Sequence, residues 1–479
     1  MSYAQQFFVN LEFANNLENR SHVAFSDCLT SSAGAKKYFR SATLAVAAAA
    51  VLLPVGNAAW GGGPGGNEGK ADRGAVRLLK TIPVPVNALN TTGGLYSFDI
   101  SWVDQQSRTY YLADRSNSAV DIIDTKTGKF VAQLPGGFAG VRPGTGTSGP
   151  NGVTTAGHCL FVTDAPSRVV SFNTSSSPPT FVNAVSTASG DPTRADELAF
   201  DPKDNVILAI NNTDTPPFGT FIKVNPSNCA LTQPTVAPPG VATPDRLLLN
   251  AANGVDAQNG AEQPQWDPAT GRFYLSIPQI GSNVANGGVV RIDTTTHKID
   301  HTFPISFCGP AGLSKGPDHE FLVGCNTVFD TAGAVWSVAD TKTAAPIHVI
   351  LDVSTGKTYP VAGAGVGDEV WYNAGDGNYY TASSGSPLRP IDIGGAADAQ
   401  GAAILGVIDA EDANLIQLVP TFNVPAVTTG PGQHPAATAH SVAADASDNH
   451  IFVPLGANNV YPDCLTGCIA VFFRPSKVE

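Results

Sequence analysis

One short apolar triplet recurs along the chain with turn-forming residues on either side. It occurs as Tyr110-Tyr111-Leu112, Leu160-Phe161-Val162, Val206-Ile207-Leu208, Phe273-Tyr274-Leu275, Phe321-Leu322-Val323, Tyr379-Tyr380-Thr381 and Ile451-Phe452-Val453. Runs this short, rich in β-branched and aromatic residues and bounded by Gly, Pro, Asp and Asn, predict strands rather than helices. Before each lies another strand, and several of these carry an aromatic: Trp102, Phe200, Trp266 and Trp371. The two strands are joined by turn chemistry such as Asp201-Pro202-Lys203-Asp204-Asn205 and Asp267-Pro268-Ala269-Thr270-Gly271. After each triplet comes a third strand ending in Asp or Asn, at Asp124, Asn173, Asn225, Asp293, Asp352 and Asp409. The seventh copy shows only Ile469 to Phe473 before the chain ends.

That truncation predicts how the repeats assemble. In the first copy a fourth strand, Lys129 to Leu134, follows Asp124, whereas the seventh copy has no room for one. Val76 to Val84, ahead of the first copy, reads as an orphan fourth strand. Letting it complete the last unit closes a ring and removes open sheet edges. The predicted fold class is therefore all-β, a seven-bladed β-propeller of four-stranded antiparallel blades, the last closed by the N-terminal strand. Residues 74–479 form a single domain in this reading, where length alone would allow two or three.

Composition agrees. Glycine (49) and proline (36) are abundant and charged residues make up only 14% of the 479 residues, against roughly 25% in an average soluble domain. Such a chain is no coiled coil or helical bundle, and at 42% hydrophobic residues it is no disordered polymer. The net charge of −13 excludes a nucleic-acid surface and disfavours adsorption to anionic membranes.

The N-terminal residues carry an export signal in form. Lys36, Lys37 and Arg40 precede an apolar run from Ala42 to Val55 and the small residues Gly56-Asn57-Ala58-Ala59. This describes a secretory signal, and the run is too short to span a bilayer, which needs about 20 residues. Residues 1–59 are read as an N-terminal extension plus signal, removed on maturation, and 60–73 as a Gly-rich linker. Met1 is the sole methionine, so a non-Met start codon near Leu29 would yield an ordinary signal peptide. Cleavage near Ala58 or Ala59 removes four basic and three acidic residues and leaves a net charge of −14. Cys159, Cys229, Cys308, Cys325, Cys464 and Cys468 remain, an even number that suits disulfides in a secreted or periplasmic protein. Cys464 can close a small loop with Cys468, and Cys308 can pair with Cys325. Zinc at Cys-x3-Cys lacks a second close pair or a nearby His.

Ala119-Val120-Asp121-Ile122-Ile123-Asp124-Thr125-Lys126-Thr127-Gly128-Lys129 resembles the blade signature of the YVTN/YncE-type propeller repeat family. Leu405 to Ala410 and His440 to Asp445 echo it, although the YVTN tetrapeptide is not intact. More distantly, the layout is similar to the SMP-30/gluconolactonase group and to streptogramin B lyases. The resemblance implies the propeller fold over nearly all of the chain from about residue 75. It leaves function open, because such propellers include binding scaffolds, lyases and lactonases. In the two more distant groups a divalent metal sits at the mouth of the central channel.

Candidate chemistry lies where the first strand of each repeat begins. Aligning the repeats places Asp99, Asn151, Asp196, Glu262, Ala311, Asp368 and His440 in one column, and the next position adds Glu197, Gln263 and Glu369. The tips after the second strand add Asp114, Asp164, Asn211, Asn212, Asp214 and Asn326 at the same face. Oxygen-rich, sulfur-free ligation suits a hard divalent cation such as Ca²⁺ or Mg²⁺. The candidate metal ligands are Glu197, Glu262, Glu369, Asp99 and Asn151, and the candidate proton carriers His440, Asp196 and Asp368. The alternative is local: Asp and Asn also favour strand entries and turns for their own hydrogen bonds. His434 lies in the loop before His440, and His158, His319 and His450 fall in hairpin turns at the opposite face. No nucleophile elbow, HExxH helix, phosphate loop, dinucleotide fingerprint or CxxCH is present, so no nucleotide, heme or flavin is expected.

Two readings follow. In one, the acidic mouth binds a divalent cation that polarises a small lactone or ester, or steadies an enolate, as a metal-dependent hydrolase or lyase. In the other, an exported scaffold binds a small-molecule ligand or a protein partner at one face and catalyses nothing. Neither involves nucleic acid or stable membrane insertion.

Overall fold

A computed structural model describes residues 74–144, 146–337, 345–385, 403–421, 440–456 and 461–475. The export signal, the linker and His434 lie outside these residues.

The chain begins with β1 (Arg77–Pro83). A four-stranded sheet follows, β2 (Ser101–Asp104), β3 (Thr109–Asp114), β4 (Ala119–Asp124) and β5 (Lys129–Pro135), in spatial order β2-β3-β4-β5. The next has the same order: β6 (Val153–Ala156), β7 (Cys159–Asp164), β8 (Arg168–Asn173) and β9 (Thr180–Ser186). The third comprises β10 (Leu198–Asp201), β11 (Val206–Asn211), β12 (Phe218–Asn225) and β13 (Ala230–Leu231), with β14 (Arg246–Leu248) added on β12. Then come β15 (Pro264–Asp267), β16 (Arg272–Ile277), β17 (Asn286–Asp293) and β18 (Lys298–Ser306). They share one eight-stranded sheet with β19 (Cys308–Lys315), β20 (Glu320–Val328), β21 (Ile347–Asp352) and β22 (Lys357–Ala362). The two halves of that sheet join through one residue pair, Asn286 and Cys308. A further four-stranded sheet is β23 (Gly365–Asn373), β24 (Asn378–Gly385), β25 (Ile404–Asp409) and β26 (Asn414–Pro420). Last come β27 (Ala443–Asp445), β28 (His450–Leu455) and β29 (Cys468–Phe473).

The fold is all-β and β-propeller-like, and the described residues contain no α-helix. Each apolar triplet of the sequence lies in the second strand of its repeat. β7 and β11 are buried along their whole length, because sheets pack against both of their faces. The fourth strands alternate instead, as exposure does along β5 and β26, since one face meets water. β1 shows the same alternation and pairs antiparallel with β29, from Arg77 opposite Phe473 to Pro83 opposite Cys468. The orphan strand thus completes the last sheet, giving the order β1-β29-β28-β27.

Turn residues act as the sequence implies. Asp201 Oδ1 accepts from the Lys203 and Asp204 amides at 2.8 and 3.2 Å, and Asp267 Oδ1 from the Ala269 amide at 3.1 Å. Gly271 and Asn205, which enter the second strands, have φ of 63° and 53°, the left-handed region that glycine and asparagine tolerate best.

The first strands of successive sheets touch one another: β2 with β6, β6 with β10, β10 with β15, β15 with β19, β19 with β23, β23 with β27 and β27 with β2. Aromatic side chains fill the seams between repeats, with Tyr110 on Phe452 at 5.1 Å and Tyr274 on Phe321 at 4.7 Å between ring centroids. Three disulfides pin the fold: Cys159–Cys229, Cys308–Cys325 and Cys464–Cys468. Cys159–Cys229 ties the second sheet to the third across a sequence separation of 70, a loop whose closure contributes about 4 kcal/mol in the chain-entropy account. No helix among the described residues is long and apolar enough to cross a membrane, and together with the disulfides this is compatible with a secreted or periplasmic protein.

Candidate functional site

The aligned column is a physical neighbourhood. Backbone bonds step from one leading residue to the next: Ile100 N–H to Asn151 O at 3.3 Å, Gly152 to Asp196 at 2.7 Å, Gln263 to Ala311 at 3.3 Å and Glu369 to His440 at 3.1 Å. In each case the residue after one leading position donates to the carbonyl of the next. The leading side chains consequently gather at one end of the first strands.

His440 sits between two aspartates. Its Nε2 is 2.6 Å from Asp99 Oδ1 and its Nδ1 is 3.1 Å from Asp368 Oδ2. Burial alone would lower its pKa, but Asp368 and Asp99 outweigh it and push it up to about 9, so the ring is an imidazolium at neutral pH. Burial likewise opposes the charge on Asp99, and Arg115 with His440 reverses this, holding the carboxyl well below the usual range.

Two arginines enter the cluster that the sequence reading missed. Arg115 donates to Asp99 Oδ2 and, from Nε and Nη2, to Asn151 Oδ1 at 3.0 and 2.7 Å. Arg194 holds Asp196 with Nε 2.8 Å from Oδ1 and Nη2 2.9 Å from Oδ2. Asn212, one of the tip residues, also donates to Asp196. The signal available was position: Arg115 follows the tip residue Asp114, and Arg194 lies two residues before Asp196. Other tip residues serve their own loops. Asp114 accepts from the Asn117 amide at 3.0 Å, Asp164 binds Arg168, and Asn211 bonds Ser167 and Thr187.

The candidate ligands behave differently from one another. Glu369 Oε2 accepts from Ser101 N–H at 3.2 Å, Val442 N–H at 3.1 Å and the hydroxyls of Ser101 and Ser441. It stitches three sheets together, and burial pushes its pKa up to about 8. Gln263 makes the equivalent bond two junctions earlier, accepting from Leu313 N–H at 2.6 Å. In both cases the donor lies two residues past the next leading position. For Glu197 that register position is Pro264, which has no N–H. Glu197 Oε2 is buried with no hydrogen-bond partner, and burial, then Asp196, Asp368 and Glu262, raise its pKa well above the usual value. Glu262 is half-buried, and burial with Asp196 and Asp368 pushes it up to about 8. Asn151 is engaged by Arg115 and donates to Ala195 O at 2.9 Å. At Ala311 the next residue is Gly312, where a Cβ would collide with the Asp368 carbonyl.

The site therefore sets two guanidiniums and an imidazolium against the acids Asp99, Asp196 and Asp368, with Glu197 and Glu262 held above the usual carboxyl range by burial and by the neighbouring acids. Among the described residues, the one trio of His, Cys, Asp or Glu whose ligand atoms all lie within 4.8 Å of one another is His158, Cys159 and Cys229, and both sulfurs belong to a disulfide.

No family model matches the chain, and no curated protein matches it. Among solved structures, it is similar to Kuenenia stuttgartiensis hydrazine synthase, with 12% identity over 83% of this chain and 99% of that one and a TM-score of 0.53. At that identity the likeness concerns the fold alone.

Proposed function

We propose that the protein is an exported seven-bladed β-propeller whose charged end is a recognition surface for a small polar ligand or a protein partner, with no catalytic metal. Support for seven closed blades comes from the single-pair junction inside the eight-stranded sheet, which reads as two blades, and from the cyclic succession of first-strand contacts. Support for export comes from the signal-like N-terminal residues and the disulfides. The observation that carries the functional reading is charge balance. Arg115, Arg194 and His440 already answer Asp99, Asp196 and Asp368, so part of the repulsion that would recruit a cation is relieved within the protein. An imidazolium held near pKa 9 is also poorly suited to act as a general base at neutral pH.

One observation favours the metal-dependent hydrolase or lyase: the partnerless Glu197 Oε2 beside Glu262. In that reading Glu197 and Glu262 are the ligands, a Ca²⁺ or Mg²⁺ ion polarises the substrate carbonyl, and Glu369 is left out because its Oε2 is occupied. Metal analysis of the mature protein, thermal melts with and without EDTA, and a lactone and aryl-ester panel separate the two. The scaffold reading expects no stoichiometric metal, an unchanged melting temperature and no turnover. Bound Ca²⁺ or Mg²⁺ that is lost in Glu197→Gln, together with ester or lactone turnover, would establish the enzyme reading instead.

A further inference from the structure

The first strands have a second end, and its chemistry is the opposite of the first. Three or four residues beyond the leading column, about 10–13 Å along an extended strand, stand Trp102, Phe200, Trp266, Trp371 and Tyr372, all half-buried. Trp102 and Trp371 meet edge to face with ring centroids 5.2 Å apart. An open cavity of about 470 Å³ lies against Trp102, Phe200 and Trp266, within the roughly 300–1,000 Å³ typical of small-molecule sites. A second cavity of about 480 Å³ shares Pro202 and Trp266 with it, so Trp266 stands between two adjoining hollows.

We propose that this aromatic end binds a neutral oligosaccharide, with sugar rings laid against Trp266 and its aromatic neighbours on either side of the shared wall. Three features specify the class. No carboxylate, guanidinium or ammonium lines the cavity of about 470 Å³, in contrast to the charged end of the same strands, and Lys203 is the one charged residue at the second, so the ligand is uncharged where it meets the aromatic cluster. Its polar side chains are the hydroxyls and amides of Thr154, Thr155, Asn205 and Gln265 with the imidazole of His158, which match the hydroxyl edge of a pyranose, while the rings match its C–H face. The two hollows in series suit a chain of rings rather than a single one. A proline-rich peptide would call on an indole N–H as donor, and that of Trp102 is already spent on Thr155 Oγ1 at 2.9 Å. The site does not depend on how the charged end functions.

The test uses the mature protein with cellohexaose, maltohexaose and xylohexaose, read by tryptophan fluorescence and calorimetry. At least one hexasaccharide is expected to bind with sub-millimolar affinity and to quench and blue-shift the emission. Trp266→Ala should weaken binding at least tenfold and Gln265→Ala at least threefold, with unchanged far-ultraviolet circular dichroism. Glu262→Gln, at the other end, should bind as the parent does. If Trp266→Ala fails to fold, Gln265→Ala and Trp266→Phe carry the test. Absence of binding by all three sugars overturns the proposal, as does binding indifferent to the Trp266 and Gln265 substitutions. Preferential binding of a proline-rich peptide overturns it as well.

Discussion

Glu369 and Glu197 occupy the same register position in two different repeats, and the protein treats them in opposite ways. Glu369 faces the amides of Ser101 and Val442 and the hydroxyls of Ser101 and Ser441, and becomes a rivet between sheets. For Glu197 the equivalent register position is Pro264, which has no N–H, and Oε2 has no hydrogen-bond partner. A buried acceptor without a donor costs about 1–3 kcal/mol, whereas a satisfied one is near neutral or favourable. The function of a rim acid is therefore decided less by its own identity than by a single backbone N–H on the next sheet. Gln263, with Leu313 as donor, falls on the Glu369 side of the comparison.

Glu369→Ala should have the largest effect, about 3 kcal/mol or more of lost stability in denaturant melts, because it strands several buried donors at once. Glu369→Gln, which keeps one acceptor oxygen, should cost nearer 1 kcal/mol. Equal and small losses would break the contrast.

Glu197→Gln should act in the other direction. The native carboxyl titrates above its ordinary 4.5, so the wild type suffers no penalty below that pH and a growing one as pH rises toward the native value. The variant should match the wild type at pH 4 and exceed it by about 1 kcal/mol or more at pH 8. A variant less stable at pH 8 would show that the carboxylate has a partner, and the contrast would fail.

Asp121 offers a third solution, one acid answered by another. It lies fully buried beside Asp114, and burial, then Asp114, raises its pKa well above 3.8, while burial brings Asp114 to about 6. The pair holds a shared proton that is lost on the alkaline side, so native stability should fall as pH rises from 3.8 through 6 and beyond. Asp121→Asn should flatten that fall by about 1 kcal/mol.

The smallest effect is the sharpest. Pro264→Ala restores an N–H at the register position opposite Glu197, gaining about 1 kcal/mol against a similar loss of proline's restriction on the unfolded chain. Its net effect should be near zero. In its background, however, the gain from Glu197→Gln should shrink by about 1 kcal/mol, a coupling visible in a double-mutant cycle. Strictly additive changes would place the missing donor elsewhere.

The strands and their order were legible in the chain because period and turn chemistry are local. Tyr110-Tyr111-Leu112 and its six counterparts, the Asp-capped hairpins and the truncated last repeat needed no partner to be read. Two of the disulfides were anticipated from spacing, and Cys159–Cys229 completes the set by joining different sheets. The leading column was also legible, since each first strand opens at the same register. Arg115 and Arg194 escaped because they lie in the connections between strands, where side-chain alternation does not mark them.

What the sequence by itself determined is therefore the repeating unit, its strand count and the residues that start each first strand, all consequences of side-chain alternation and backbone turns. What only the tertiary structure decided is which charges meet. Whether an acid is riveted, stranded or neutralised depends on N–H groups and guanidiniums supplied by the neighbouring sheet, and no local pattern records that neighbour.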